Sequence, residues 1–128
     1  ATGGDTTATN LVTLTMSGTN VSAVDFSLVQ GGGAFKLVLT GNAYFGSPSG
    51  VSSSIQQKGR IWIQQPSTGT CVVRWTNGAP GYAWPEGVSP TVDTNNSAVS
   101  YIDLWSDPFT NGILHGTVVP MSKLATNL

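Results

Sequence analysis

Charged side chains are scarce in this sequence, at 9% of its 128 residues, against about 25% in an average globular domain. Five lysines and arginines stand against six aspartates and glutamates, so the formal net charge is −1. Proteins that bind nucleic acid concentrate cations to neutralise phosphates. Five dispersed cations therefore argue against a nucleic-acid partner.

Cysteine and histidine are represented once each. Cys71 excludes an intrachain disulfide, and its place in a strand pattern is typical of a buried, unreactive thiol. His115 lacks the nucleophile and orienting acid that a catalytic dyad requires, with Asp103 and Asp107 the nearest acids in sequence. The carboxylates are scattered, which disfavours calcium binding but leaves a glycosidase-type pair open. We predict that the protein is not an enzyme and needs no metal or cofactor.

Long apolar runs are absent too. No stretch approaches the roughly 18 residues of a membrane span, and the first residues lack the charged and apolar regions of a signal peptide. We expect no membrane partner. The length corresponds to one domain, large enough to bury a core without disulfides or metal.

Alternation of apolar and polar residues is the main pattern that is present. Val12, Leu14 and Met16 alternate with threonines over residues 10–17, which predicts a strand. Similar patterns occupy 21–29, 35–39, 60–65, 70–75, 99–105 and 112–119, with a short one at 42–45. The turn Pro66–Gly69 predicts a hairpin between 60–65 and 70–75. Eight or nine strands result, with less than about a tenth of the chain helical.

The spacing of these strands is typical of an all-β fold, a jelly-roll-like antiparallel β-sandwich of about eight strands. We divide the chain into a flexible N-terminal arm at 1–9, a β-sandwich domain at 10–119 and a C-terminal docking tail at 120–128. The predicted core consists of eight inward-facing side chains: Leu14, Phe26, Leu28, Leu37, Ile61, Ile63, Val73 and Trp75.

Aromatic residues mark the candidate contact sites. Trp62 is out of phase with Ile61 and Ile63, so it should point away from their face. Exposed aromatic side chains stack on sugars or anchor protein interfaces. Tyr82 and Trp84 lie in a proline-rich loop, where they form either a binding platform or a plug at the end of the barrel. Both interpretations stay open.

The tail supplies the other candidate contacts. Pro120 cannot donate to a sheet ladder and ends the last predicted strand. Met121, Leu124 and Leu128 then recur among small and polar residues, which predicts a docking arm. A frayed terminus is the alternative. Deleting 121–128 should weaken assembly while leaving the sandwich folded.

An ordered set of motifs covers about residues 10–119. Its members are Asp25, Gly41-Asn42, Gln64, Gly69, Trp75, Trp84-Pro85, Gly87, Pro90-Thr91, Asp103 and Gly116. This set resembles a small β module of bacteriophage tail fibres, baseplate-associated proteins and head-decorating proteins. The chain departs from that pattern in the long 46–59 loop and near His115. The resemblance implies a fold whose motif positions are turn and core determinants rather than an active site.

We therefore predict a structural protein of a phage virion, most directly a capsid decoration or cement protein located in the virion. The alternatives are a receptor-binding part of a tail fibre or baseplate, which would contact a host surface glycan, and a free carbohydrate-binding module. Scarce charge and an outward Trp62 indicate apolar surface that a partner covers. We expect a homo-oligomer, as a trimer, together with other virion proteins.

Overall fold

The computed structural model describes residues 10–29, 33–68, 70–76, 80–110 and 112–116. Their secondary structure is β-strand with two short 3-10 helices, and no α-helix occurs within these ranges. The ten strands are β1 (Asn10–Thr13), β2 (Met16–Ser17), β3 (Asn20–Val21), β4 (Gly33–Val38), β5 (Ala43–Phe45), β6 (Lys58–Gln64), β7 (Val73–Trp75), β8 (Gly81–Ala83), β9 (Val99–Ser106) and β10 (Ile113–Gly116). The all-β prediction is confirmed.

Two sheets contain these strands. The large sheet has six strands in the order β1-β4-β6-β9-β10-β8, and the small sheet has four in the order β2-β3-β5-β7. One hydrophobic cluster receives side chains from both sheets, including Phe35 and Ile61 from the large sheet and Phe45 and Trp75 from the small one. None of the helices in the described ranges is long and apolar enough to span a membrane.

The strand pairing is mixed, so the prediction of purely antiparallel sheets is wrong. Strands β1, β4 and β6 run parallel to one another, whereas β9 is antiparallel to both β6 and β10. In the small sheet, β3 is parallel to β5 and β5 to β7. The alternation of side chains is the same in both kinds of pairing, so it carries no information about strand direction.

Strand β6 lies in the middle of the large sheet, paired along most of its length with β4 and β9. Its burial alternates as predicted, with Ile61 and Ile63 inside. The predicted hairpin with 70–75 is wrong, because β7 belongs to the other sheet. The segment after β6 crosses between sheets, and the buried Gln65 amide holds it by bonding both backbone groups of Cys71, at 2.9 Å and 2.6 Å.

The segment 21–29 also differs from the prediction of one strand. Strand β3 ends at Val21, and Phe26–Val29 is a 3-10 helix. The Asp25 carboxylate accepts hydrogen bonds from the backbone N–H and the hydroxyl of Ser27, at 3.0 Å and 2.7 Å. Aspartate favours turns through such local bonds. The helical twist leaves Phe26 fully buried and turns Leu28 outward.

The core prediction is largely confirmed. Six of the eight predicted residues are buried: Leu14, Phe26, Leu37, Ile61, Ile63 and Trp75. Val73 is half-buried and packs against the core. Leu28 is 47% exposed, which is a correction with the local cause given above.

Residues 10–17 form two strands rather than one. Strand β1 belongs to the large sheet and β2 to the small sheet, with the buried Leu14 between them. The backbone N–H of Leu14 still bonds the Lys36 carbonyl at 2.8 Å. The predicted N-terminal arm at 1–9 and the docking tail with Met121, Leu124 and Leu128 lie outside the described residues.

Candidate functional site

The outer face of the large sheet carries a row of aromatic and charged side chains. The antiparallel register of β6 and β9 sets Lys58 opposite Trp105, Arg60 opposite Asp103 and Trp62 opposite Tyr101. On the other side of β6, Lys36 of β4 is the register partner of Trp62. We call this set the aromatic strip: Lys36, Lys58, Arg60, Trp62, Tyr101, Asp103 and Trp105.

An arginine clamp occupies the middle of the aromatic strip. Arg60 Nε donates to Asp103 Oδ1 at 2.6 Å and Nη2 to Oδ2 at 3.0 Å, which is a bidentate pair. The guanidinium also lies over the rings of Tyr101, at 4.2 Å, and Trp62, at 5.2 Å. The hydrogen bond to Asp103 raises the pKa of Arg60 above its ordinary value. These contacts hold the middle of the strip against its Trp62–Tyr101 end.

Trp105 forms the other end of the aromatic strip. The Lys58 ammonium lies 5.4 Å from the centre of its ring, a cation–π distance. His115 of β10 is its register partner on the other side and bonds Asp107 at 2.8 Å. The Trp105 ring remains exposed. The Arg60–Asp103 pair lies between this end of the strip and the Trp62–Tyr101 end.

An apolar groove borders the aromatic strip at the β1 side of the sheet. It encloses about 280 Å³, and its outward-facing lining consists of Leu11, Lys36, Val38, Trp62, Gln64 and Val99. Leu11 and Val38 are large hydrophobic residues that stay exposed. As predicted, Trp62 points away from the Ile61 and Ile63 face, and it belongs to both the groove and the strip.

Tyr82 and Trp84 lie elsewhere, where the two sheets meet. Tyr82 is buried on β8, which corrects the prediction of an irregular loop at this position. Trp75 packs edge-on against both rings at 5.0 Å and stacks on Phe45 at 4.2 Å. Burial raises the pKa of the Tyr82 phenol. Of the two interpretations, this packing favours the plug.

Trp84 is half-buried, and its ring packs against Gly116 of β10. A Cβ added at Gly116 would overlap the Trp84 ring, so this position accepts only glycine without rearrangement. Other motif positions also have local structural roles. The Asn42 side chain accepts a bond from the Val72 N–H at 3.0 Å, and Gly87 adopts a positive φ of 74°.

The candidate catalytic groups have local partners. His115 and Asp107 form an exposed pair, and the Asp107 carboxylate also accepts the Phe109 N–H at 2.6 Å. Asp103 is bound to Arg60, and Asp93 accepts two bonds from Asn95 in a turn. Cys71 is half-buried. Within the described ranges, no cluster of three or more histidine, cysteine, aspartate and glutamate side chains is placed to hold a metal ion.

The contact residues that the sequence alone does not indicate are Tyr101, Trp105, Lys58 and Arg60. Their alternating positions on the two strands were visible as a period of two, but the register that brings the two series together was not.

No protein-family model, curated protein or solved structure matches this chain. The resemblance to phage β modules therefore rests on its sequence pattern.

Proposed function

We propose that the protein is a non-enzymatic structural part of a bacteriophage virion, most directly a capsid decoration or cement protein that binds an assembled shell as a trimer. The proposal includes a jelly-roll-like sandwich in which the strand pairing is mixed. In such a protein the functional residues bind a partner rather than catalyse a reaction. The relevant features are therefore exposed apolar side chains on well-paired strands.

The observation that carries this proposal is the apolar groove. Leu11, Val38 and Val99 line it beside Trp62, on the face of the sheet that points away from the core. Contiguous exposed apolar surface on a soluble protein commonly marks an interaction site. Tryptophan is among the residues that contribute most to binding when a partner covers them.

A presented phenylalanine supports the same proposal. Phe109 is 92% exposed, in the turn that follows β9. The backbone that leads to Phe109 is held by hydrogen bonds, because the Asp107 carboxylate accepts the Phe109 N–H and also bonds His115. A large apolar side chain held out by an ordered turn suits insertion into a partner's pocket.

Capsid binding tests the proposal directly. The purified protein is added to undecorated capsids of the phage that encodes it, and bound copies are counted and located by electron microscopy. We expect stoichiometric, regularly placed density. Val38→Thr with Leu11→Gln should weaken binding by removing apolar contacts from the groove.

Val72→Thr is the matched control, because Val72 is 46% exposed and Val38 is 47% exposed, and Val72 lies next to the small sheet. If Val72→Thr weakened capsid binding as much as the groove substitutions do, the groove would not be part of the interface. Absence of the protein from purified virions would contradict the proposal as a whole.

The oligomeric state is a separate test. Light scattering of the isolated protein at micromolar concentration should report a mass three times that of the 13.2 kDa chain. A clean monomer would contradict the trimer for the isolated protein.

The aromatic strip favours a second candidate, a receptor-binding part of a tail fibre or baseplate, because aromatic rings beside polar groups are suited to glycans. Binding of the isolated domain to host cells would favour this candidate over decoration. A monomer that binds polysaccharide and is absent from every virion would instead indicate a free carbohydrate-binding module.

A further inference from the structure

We propose that the aromatic strip binds an acidic, linear polysaccharide. One pyranose ring packs on the exposed Trp105 ring, another packs beside the Trp62–Tyr101 pair on which the Arg60 guanidinium lies, and carboxylates of the glycan pair with Lys58 and Lys36. The inference rests on the second candidate function above and deepens it, since it names the class of glycan that the strip would bind.

Charge is the first argument. Of the five lysines and arginines in a chain of net charge −1, three project from this one face: Lys36, Lys58 and Arg60. Asp103 is occupied by Arg60, and neither lysine forms a salt bridge with a described carboxylate. The strip therefore presents two lysine ammonium groups that pair with none of the described carboxylates, while Asp107, near Trp105, is bound to His115. Such a surface complements an anionic ligand.

The pairing of rings with lysines is the second argument. Lys58 is the register partner of Trp105, and Lys36 is the register partner of Trp62. The strip thus holds two units: Trp105 with the Lys58 ammonium 5.4 Å from its ring centre, and Trp62 with Lys36 opposite it in the strand register. A uronic-acid residue has the matching chemistry, because one face of its ring carries C–H groups and its edge carries a carboxylate.

The distance between the units indicates a chain rather than a single sugar. Trp105 and Tyr101 are four residues apart on β9, as are Lys58 and Trp62 on β6. A strand rises about 3.3 Å per residue, so the units are about 13 Å apart. An extended oligosaccharide reaches both units along a nearly flat sheet.

The Arg60–Asp103 pair lies between the units and is fixed by its two hydrogen bonds and by the rings on which the guanidinium rests. Nη1 is not used in the pair, which leaves a donor for sugar hydroxyls. Groups that are ordered before binding lose little conformational entropy when a ligand arrives.

Other ligand classes fit the strip less well. A neutral glycan would leave both lysines without a role. Nucleic acid carries a charge on every nucleotide and requires a denser cationic surface. A second copy docked face to face about a two-fold axis would bring like charges together.

The test uses the full chain, with a polygalacturonate oligosaccharide as the acidic probe and a neutral galactan oligosaccharide of the same length as its control. Calorimetry and tryptophan fluorescence measure binding at two salt concentrations. We expect binding of the acidic probe that weakens with salt, and at least about tenfold weaker binding of the neutral one.

Two substitutions locate the site. Trp105→Ala should weaken binding of the acidic probe about tenfold by removing a stacking platform. Lys58→Gln should weaken it up to about fivefold and reduce the salt dependence.

Tyr44→Ala and Arg74→Gln are the matched controls. Tyr44 is 39% exposed against 40% for Trp105, and Arg74 is its register partner on the small sheet. These changes should leave binding unaltered.

Several results would overturn the inference: no binding of the acidic probe, equal binding of the neutral one, undiminished binding by a folded Trp105→Ala variant, or loss of binding only in the small-sheet variants. The capsid test uses groove substitutions and no glycan. Capsid binding without glycan binding would therefore refute this inference alone.

Discussion

The two faces of β6 and β9 differ sharply although they share the same backbone. The inner face presents Ile61, Ile63, Ile102 and Leu104, each at most 3% exposed. The outer face, one residue out of step along each strand, presents the aromatic strip. The inner face holds the sheets together, and the outer face is left for contacts with other molecules. A one-residue shift in register would exchange these roles.

Substitution of a core aromatic should give the largest difference between the faces. Phe26→Ala or Trp75→Ala should lower the free energy of unfolding by about 3–5 kcal/mol, since both are buried. Trp105→Ala on the outer face should cost less than about 1 kcal/mol. Urea unfolding measures all three. A cost below about 1 kcal/mol for Phe26 or Trp75 would contradict the burial of that side chain in the core.

Two adjacent glutamines sharpen the same contrast. Gln65→Ala should cost about 1–3 kcal/mol, because it leaves the N–H and C=O of Cys71 without their amide partner. Gln64→Ala is the control, since Gln64 is exposed at the end of β6. Its cost should stay within about 0.5 kcal/mol. Equal costs in denaturant unfolding would show that the Gln65 amide does not stabilise the crossing segment.

The Arg60–Asp103 pair should stabilise the fold only slightly. Both side chains are about one-third exposed, and exposed ion pairs contribute about 0.2–1 kcal/mol because water screens them. A double-mutant cycle with Arg60→Gln and Asp103→Asn measures the coupling energy. A coupling above about 2 kcal/mol would assign the pair to the fold rather than to the face.

The smallest expected effect concerns the turn that presents Phe109. The hydrogen bond from the Phe109 N–H, and next the bond from His115, lower the pKa of Asp107. A lowered folded-state pKa means that the contribution of Asp107 is present above the ordinary carboxyl pKa, about 3.9, and is lost as the pH falls through the lower folded value.

The protection of the Phe109 amide against exchange, relative to an unstructured peptide at the same pH, should therefore fall below about pH 4. Asp107→Asn should abolish this change in protection, measured by NMR. An unchanged exchange profile in that variant would mean that another group controls the turn.

Part of the outer face was readable from the sequence. Trp62 was predicted to point away from Ile61 and Ile63, and it does. Tyr101 and Trp105 carried the same alternation, but their proximity to Trp62 and Lys58 depends on which strands pair and in which register. Trp62 and Tyr101 are 39 residues apart in the chain and Lys58 and Trp105 are 47 apart, and no local pattern encodes that pairing.

The buried glutamines were missed for a related reason. Gln57 and Gln65 flank β6, and each amide bonds the backbone of a neighbouring segment. Glutamine is ordinarily a surface residue, so the sequence argued for exposure, and only the path of the crossing segments creates their buried polar partners.

By itself, the sequence determined what depends on the pleat of a single strand: the all-β class, the inward side of β6 and most of the core, because alternation is a local property with a period of two. It also determined that only five lysines and arginines are available to form a positively charged surface. Tertiary structure decided the direction of the strands, the crossing between sheets after Gln65 and the helical turn that exposes Leu28. It also decided the assembly of the aromatic strip, because these features depend on contacts between distant segments and on local hydrogen bonds that compete with the strand.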